Sequence, residues 1–578
     1  MPTLNWIGKE KVVTHHLDVP FRTLDRQYVF SPSGADDGNM IIHGDNLEAL
    51  KALLPQYEGR IQLIYIDPPY NTGNEGWIYN DNVGDPRIRK WLGQVVGKEG
   101  EDLSRHDKWL CMMYPRLRLL QKLLSEDGVI FISIDDTEYA SLKQVCDEIF
   151  GSNCFVSNIS WQRTYSTRND SKGIVNEVEH VLCYSKQPNW NPNKLPRTDA
   201  MDSIYKNPDH DEKPWASDNP FAPGASTHQG MVYAIQHPFS GEMIYPPNGR
   251  CWTFGQELML EHMQSWGNYE LRDLQDDHKR AEVCGVSIDS VRKGVQGIVL
   301  VDDLQSARTH AQAVYDRGSW PRFYFTKGGK GGIRRKTYLE NVGGRLPTNF
   351  WPFSETGHTD EAKKEMLAIF DGRATFDTPK PVRLIEFVLR IASDPNSIIL
   401  DSFAGSGTTA HAVLNMNKAD GGHRRFILVE MGDYADSITA ERVRRVISGY
   451  GEGKSAVEGT GGSFSYYELG APLFVDGFLN PDGPMEDIRS YVYYSETQET
   501  IPPQQESDPY LLGISGDTAY YFCYEKSCAT VLNATTLSKL KTKAERYVIY
   551  ADTCALSEEE LKRLNITFKK IPRDITVL

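Results

Sequence analysis

Short apolar runs alternate with longer stretches of helical spacing over two parts of this chain. Met40-Ile41-Ile42-His43, Ile61 to Ile66, Gly128 to Ile134, Ser397 to Asp401 and Phe426 to Glu430 are four- to seven-residue runs rich in Ile, Val and Phe. Runs of this kind, closed by polar or turn residues, predict buried strands. Phe155 to Trp161 and Val178 to Ser185 add two further strands. Between them, Trp109, Leu110, Met113, Leu117, Leu120 and Leu124 recur at helical spacing and predict a core-facing helix over His106 to Leu124. Leu47 to Leu54, Thr137 to Phe150, Thr408 to Met416 and Ala440 to Ile447 predict further helices, the last of them basic. Thr378 followed by Pro379 predicts a cap and first turn for a helix running to about Ala392. Strand and helix in alternation predict an α/β fold, a parallel sheet with helices on its faces.

The rhythm breaks at defined places, which set the expected organisation. Residues 1–38 predict an irregular amino-terminal arm ending in the turn cluster Ser31 to Gly38. Residues 39–186 form a first α/β half, containing a polar, glycine-rich loop from Asn71 to about Gly100 that has the length of a functional lid. From 187 to 350, Trp, Asn, Pro, Gly and charged residues replace the periodic segments, predicting an inserted domain of mixed structure. The α/β pattern resumes over 351–448. Six glycines between Gly449 and Gly462 predict a linker over 449–470. Residues 471–578, with runs at Tyr520–Cys523, Arg546–Tyr550 and Ile566–Ile571 and a helix from Ser557 to Leu564, predict a small separate α/β domain for assembly or partner contact.

Composition narrows the classes. At 578 residues, 40% hydrophobic and 24% charged, the chain is globular and long enough for several domains. The amino terminus lacks a basic segment followed by an apolar core, and no apolar run reaches membrane-spanning length, so a cytoplasmic protein without membrane association is expected. The nine cysteines show no Cys-x-x-Cys pairing, which points away from a zinc site or a disulfide framework; no metal is expected. A net charge of −15 argues against a general nucleic-acid coat but leaves room for a local basic channel. Arg322, Lys327, Lys330, Arg334, Arg335 and Lys336 lie in a stretch with no acidic residue, among four glycines and next to Phe323, Tyr324, Phe325 and Tyr338. This is either a phosphate-binding loop or a solvated hairpin.

Two constellations carry chemistry. Asp67-Pro68-Pro69-Tyr70 ends the strand Ile61–Ile66, at the sheet edge where α/β proteins bind ligands. It reads as a plain turn, or as a grip for the exocyclic amine of a heterocycle. In the second reading the Asp67 carboxylate and a proline carbonyl each accept one N–H, and Tyr70 stacks on the ring. An aryl amine is a poor nucleophile because its lone pair is delocalised; two such acceptors localise it for attack. The second constellation is strand, loop and helix: Asp401, then Phe403, Gly405, Ser406 and Gly407, and a further strand ending in Glu430, twenty-nine residues beyond Asp401. Glycines permit close backbone approach and the acid can chelate ribose hydroxyls, as in nucleoside-binding βαβ units. No Lys follows the second glycine, so a nucleoside with a charged amino-acid tail fits better than a nucleotide phosphate. Asp45, after the strand Met40–His43, either caps the next helix or accepts from an adenine amino group.

Taken in order, several stretches resemble one family. They are Ile66 to Gly73, Met113 to Leu117, Gly128 to Asp136, Gly249 to Trp252, Gly357 to Thr359, Phe376 to Pro381 and Asp401 to Thr409. The chain resembles the DNA amino-methyltransferases that use S-adenosylmethionine, in the β-class order, and more closely the modification (Mod) subunits of type III restriction systems. The resemblance implies a Rossmann-like methyltransferase domain with motifs in circularly permuted order and a target-recognition domain near 187–350. It implies that Asp67, Pro68 and Tyr70 hold a flipped adenine, and that Asp401, Phe403, Gly405, Gly407 and Glu430 hold the cofactor. Asp45 would contact the cofactor adenine, with Thr378 and Lys380 near its methionine end. Double-stranded DNA, a second copy of the chain and a helicase-nuclease subunit are the implied partners. Asp at position 67 favours adenine N6 in this family, while cytosine N4 shares the chemistry. Cytosine C5 is disfavoured, because it needs a Cys nucleophile and no Pro-Cys pair occurs. A DNA-recognition subunit serving chiefly a partner nuclease is the alternative role.

Overall fold

A computed structural model describes residues 3–72, 90, 93–94, 105–165, 174–475, 478–480, 483–572 and 575. The chain forms two compact units, 194–346 and the remainder. Most of the polar segment expected to be a lid, 73–100, lies outside the described residues.

The larger unit is built on a ten-stranded sheet. In chain order its strands are β1 (Arg22–Phe30), β2 (Met40–His43), β3 (Ile61–Ile66), β4 (Leu124–Ile134) and β5 (Phe155–Gln162). They continue as β6 (Val178–Ser185), β7 (Phe350–Trp351), β8 (Ile398–Asp401), β9 (Arg425–Glu430) and β10 (Phe464–Pro472). The spatial order is β1-β10-β2-β9-β8-β3-β4-β6-β5-β7. From β10 through β4 every neighbouring pair is parallel, with Asp401 opposite Leu428 and Leu400 opposite Ile64. β6 and β1 run antiparallel to their neighbours. Because β3, β8 and β9 are parallel, the residues that follow them, Asp67, Ser402 and Met431, emerge along one edge.

The central strands are buried on both faces, which is why they read as continuous apolar runs. Helices α1 (Asn46–Tyr57) and α2 (Arg105–Leu123) pack one face through Leu50, Leu53, Trp109, Met113 and Leu117. Helices α3 (Val382–Ala392) and α4 (Thr408–Asp420) pack against one another on the sheet.

Four expectations are corrected. Residues 22–30 are not an irregular arm but the edge strand β1, paired along its length with β10. Its charged residues Arg22, Asp25 and Arg26 suit a strand with one partner and one solvated side, and they disguise it in the sequence. Likewise 464–472 is no linker: β10 sits between β1 and β2, and the glycines before it form a small hairpin of Gly449–Tyr450 with Val457–Glu458. Residues 471–578 carry their own four-stranded sheet, Leu511–Ser515, Thr518–Phe522, Arg546–Ala551 and Ile566–Lys570, yet group within the same compact unit as the large sheet. The helix after Thr378 starts only at Val382, with Pro381 at its N-cap. Thr378 and Lys380 each precede a proline, which disfavours the helical region for both.

The unit over 194–346 combines a four-stranded and a three-stranded sheet around Trp215, Trp252, Trp266, Phe323 and Phe325. Its interior contains a wholly buried cation. Lys336 Nζ lies 2.5 Å from Asp209 and 2.6 Å from Asp211, and 5.0 Å from the Trp215 ring centre. Asp209 also accepts from the Trp215 indole at 2.8 Å and the Trp320 amide at 2.7 Å. Among the described residues, no helix is long and apolar enough to cross a membrane.

Removing one partner of a buried ion pair leaves an uncompensated charge, at a cost of about 3–5 kcal/mol. Lys336→Met, which strands the Asp209 and Asp211 carboxylates, is therefore expected to lower the stability of this unit by about 3 kcal/mol or more, read from urea unfolding followed by tryptophan fluorescence. Asp209→Ala, which leaves Lys336 paired with Asp211, is expected to cost less.

Candidate active site

β3 delivers Asp67 to the sheet edge. Pro68 and Pro69 stop the strand, and the buried indole of Trp109 donates to Pro69 O at 2.7 Å, tying the turn to α2. Asn71 closes the turn in the left-handed region, φ 63°, with its amide on Glu138 Oε1 at 2.5 Å and on Arg105 O at 3.2 Å. The Asp-Pro-Pro-Tyr segment is thus a turn, held rigidly from three directions.

On that turn the side chains converge. Lys380 Nζ lies 2.8 and 2.7 Å from the two Asp67 oxygens and 5.0 Å from the Tyr70 ring centre. The Tyr70 hydroxyl lies 2.8 Å from Asp67 Oδ1 and 3.2 Å from Glu179 Oε2. Glu179 is buried on β6 and its other oxygen accepts from Arg163 Nη1 at 2.7 Å. Removal from water pushes the Asp67 carboxyl above the usual carboxylate range, and the Lys380 ammonium opposes that shift. The Tyr70 phenol is raised far above its ordinary value by burial and by the two carboxylates, so it stays protonated.

Directly beside this cluster is the loop after β8. A cleft is bounded by Asp67 and Lys380 on one side and Asp401, Phe403, Gly405 and Ser406 on the other, with Phe376 and Thr378 along it. Asp401 accepts from the Phe403 amide at 3.0 Å and the Thr409 hydroxyl at 2.5 Å, which sets the shape of the loop. Gly405 and Gly407 have φ of 51° and 81°, the left-handed region, and a Cβ on Gly407 would lie 3.1 Å from Thr439 O. Ser406 and Thr408 hydroxyls accept from the buried Arg442 guanidinium, each at 2.8 Å. Thr408 donates to Lys380 O at 3.2 Å, so the glycine loop and the Lys380 segment are one assembly.

Glu430 ends β9 with its oxygens on the Gly405 and Gly432 amides, at 2.7 and 2.8 Å. The Tyr434 side chain and the Met431 amide are also hydrogen-bonded to this carboxylate. Asp45 caps α1 through the Leu47 and Glu48 amides, and its second oxygen pairs with the buried Arg116 at 3.2 Å. Its strand end adjoins that of Glu430, since the Gly44 amide donates to Glu430 O at 3.0 Å. These residues suit a nucleoside with a cationic tail: acids at adjacent strand ends, a glycine turn without a lysine, and aromatic Phe376 and Phe403 at the cleft.

The expected nucleic-acid residues of the smaller unit divide. Strands Phe323–Phe325 and Ile333–Tyr338 form a hairpin, and Arg322, Lys327 and Lys330 are exposed on it. Arg334 is half-buried against the Ser217 hydroxyl, 3.2 Å away, and Arg335 is half-buried on Asp218. Lys336 is a correction: it points inward to Asp209 and Asp211 and cannot reach a phosphate. A period-two strand puts alternate side chains on opposite faces, so a basic run cannot present every member outward.

Sequence reading missed Glu179, Arg163, Trp109 and Arg442. A glutamate at the second position of a largely apolar strand was the available signal for Glu179. Nothing in the local sequence marks the others as site residues.

Residues 61–441 match the sequence family described as DNA methylase. The chain belongs to that family. It is 31% identical over 460 residues to the Mod subunit of the StyLTI type III restriction-modification enzyme of Salmonella typhimurium strain LT2, covering 75% of this chain and 60% of that protein. It is 27% identical to the EcoPI Mod subunit of Escherichia phage P1, covering 74% and 63%. It is also 27% identical to the type II methyltransferase M.KpnI of Klebsiella pneumoniae, covering 70% and 84%. The chain thus spans under two thirds of the length of these two Mod subunits.

Burial pushes the Asp401 carboxyl up to about 7. A folded-state pKa above the unfolded value, 3.8, means that the folded state holds the extra proton between these values. The contribution of Asp401 to stability is present below about pH 4 and is lost as pH rises toward 7. Asp401→Asn is expected to remove this dependence, flattening unfolding free energy against pH in that window by up to about 1.4 kcal/mol per pH unit.

Proposed function

We propose that this chain methylates N6 of adenine in double-stranded DNA, with S-adenosylmethionine as donor, as the modification and specificity subunit of a type III restriction or phage-defence system. The observation that carries the reading is the adjacency of the Asp67–Tyr70 turn and the Asp401–Gly407 loop across one cleft, inside a chain of the DNA methylase family. Resemblance to two Mod subunits supports the type III assignment. Association with a second copy and with a helicase-nuclease subunit belongs to the same reading.

Each residue then has a task. Asp401, Phe403, Gly405, Ser406, Gly407 and Glu430 would hold the nucleoside part of the donor, with Asp45 near its base and Thr378 and Lys380 near its amino-acid end. The donor supplies an electrophilic methyl on a sulfonium that departs as a neutral thioether. N6 is paired inside the duplex, so the target base must be turned out to reach Asp67. Asp67 accepts one N–H of the amine. Pro69 O already accepts the Trp109 indole, so the second N–H is assigned to the Pro68 carbonyl. Tyr70 covers the ring face. These contacts localise the nitrogen lone pair and strengthen as the amine becomes cationic in attack. The exposed Arg322, Lys327 and Lys330 supply phosphate contacts in the recognition unit.

Asp67→Ala is expected to reduce methyl transfer at least about 100-fold while donor and DNA binding persist. Nucleoside mass spectrometry of DNA from a methylation-free host expressing the chain checks it. N6-methyladenine supports the reading, N4-methylcytosine moves it to the other amine, and an active Asp67→Ala variant refutes the site. Lys327→Ala and Lys330→Ala are each expected to lower the slope of log affinity against log salt by about 1, where Lys336→Met leaves it unchanged. Fluorescence anisotropy with a DNA duplex across a salt series measures both.

A further inference from the structure

Asp67 is already engaged on both oxygens. Lys380 Nζ bridges Oδ1 and Oδ2 at 2.8 and 2.7 Å, and the Tyr70 hydroxyl adds a third donor to Oδ1 at 2.8 Å. An incoming amine N–H competes with these donors for the Asp67 oxygens. Lys380 has a side chain only 12% exposed, and an ammonium so covered cannot be released without another acceptor. A tyrosine hydroxyl has a single hydrogen, so the Tyr70 contacts to Asp67 and to Glu179 are alternatives and not a simultaneous pair.

Both displaced donors have the same second acceptor. Glu179 Oε2 is 3.7 Å from Lys380 Nζ and 3.2 Å from the Tyr70 hydroxyl. Glu179 is held for this from the far side, where Arg163 Nη1 occupies Oε1 at 2.7 Å and leaves Oε2 facing the cluster. The carboxylate side chain is 8% exposed, on a strand paired along both edges, so it is fixed by the sheet and not by solvent. Its charge also balances the set. Asp67 and Glu179 offset Lys380 and Arg163, and without Glu179 the cluster would carry a net positive charge beside a sulfonium.

We propose that Glu179 is a positioning residue that takes over Lys380 and the Tyr70 hydroxyl when Asp67 is given to the substrate amine. In the resting arrangement Lys380 keeps Asp67 oriented and paired. When the amine binds, the ammonium shifts toward Glu179 Oε2, the Tyr70 hydrogen turns to the same oxygen, and one Asp67 lone pair is released. No bond other than hydrogen bonds changes in this exchange. The inference rests on the reading of Asp67 as the amine acceptor.

The test is Glu179→Gln in the full chain, in single-turnover methyl transfer with tritiated S-adenosylmethionine and DNA containing the recognised sequence. The expected result is a rate lower by about 10- to 100-fold, with equilibrium affinity for S-adenosylmethionine and for DNA changed by less than about threefold. The rate–pH profile supplies the signature that a structural role would not move. Glu179 raises the Asp67 pKa by like charge, with Lys380, Tyr70, Tyr65 and Asp401 the other ionisable groups facing it. Glu179→Gln is therefore expected to move the acid limb to lower pH. If the Gln variant does not fold, Glu179→Asp, which withdraws the carboxylate by one methylene and keeps its charge, is expected to slow transfer without moving the acid limb. A wild-type rate in the variant, or a loss accounted for by weaker binding alone, overturns the inference and leaves the proposed function standing. A wild-type chain that transfers no methyl group to any DNA overturns both.

Discussion

Lys380 and Asp67 lie 313 residues apart in the chain, and the ion pair between them is the contact around which this edge of the sheet is assembled. It forms because β3 and β8 are parallel neighbours, so the turn after β3 and the loop after β8 leave the sheet side by side. The segment carrying Lys380 is tied to the second of these through Thr408. A carboxylate withdrawn from water needs a cation, and a covered ammonium needs a carboxylate; each makes the burial of the other tolerable. Tyr70, Glu179 and Arg163 extend that balance to a larger set without adding net charge.

The two units use buried charge differently. In the smaller unit Lys336 and Asp209 are wholly enclosed, Asp209 is further bonded to Trp215 and Trp320, and Lys336 also pairs with Asp211, which accepts from Tyr338. Such a network joins strand to loop and has no opening through which to do chemistry. At the sheet edge the corresponding groups border a cleft, and Asp67 remains 21% exposed. Both clusters look alike as residue types in a sequence. Enclosure separates a structural network from a reactive one.

Edge and centre of the large sheet were unequally legible. Ile61–Ile66, Ile398–Asp401 and Arg425–Glu430 are buried on both faces, so their sequences are nearly all apolar and their limits stand out. β1 and β10 have exposed or half-exposed positions along most of their length, and their charged and small residues resemble a loop or a linker. The helix after Thr378 was placed too early for a related reason. A Thr-Pro pair is a sound local start signal, but two successive proline restrictions and the Lys380 contacts hold the backbone extended until Val382.

Local sequence alone determined the strand ends that carry Asp67, Asp401 and Glu430, the glycine turn between two of them and the cap at Asp45. Each depends on side-chain pattern or backbone permission within a few residues, which short-range chemistry dictates. Tertiary structure decided which charges meet. Glu179 faces Asp67 because β6 lies antiparallel beside β4, Lys336 turns inward because of the register of its strand with Trp215–Asp218, and Trp109 reaches Pro69 because α2 packs across the sheet. Such contacts depend on strand order and register, which many sequences of the same local pattern leave open until the core has packed.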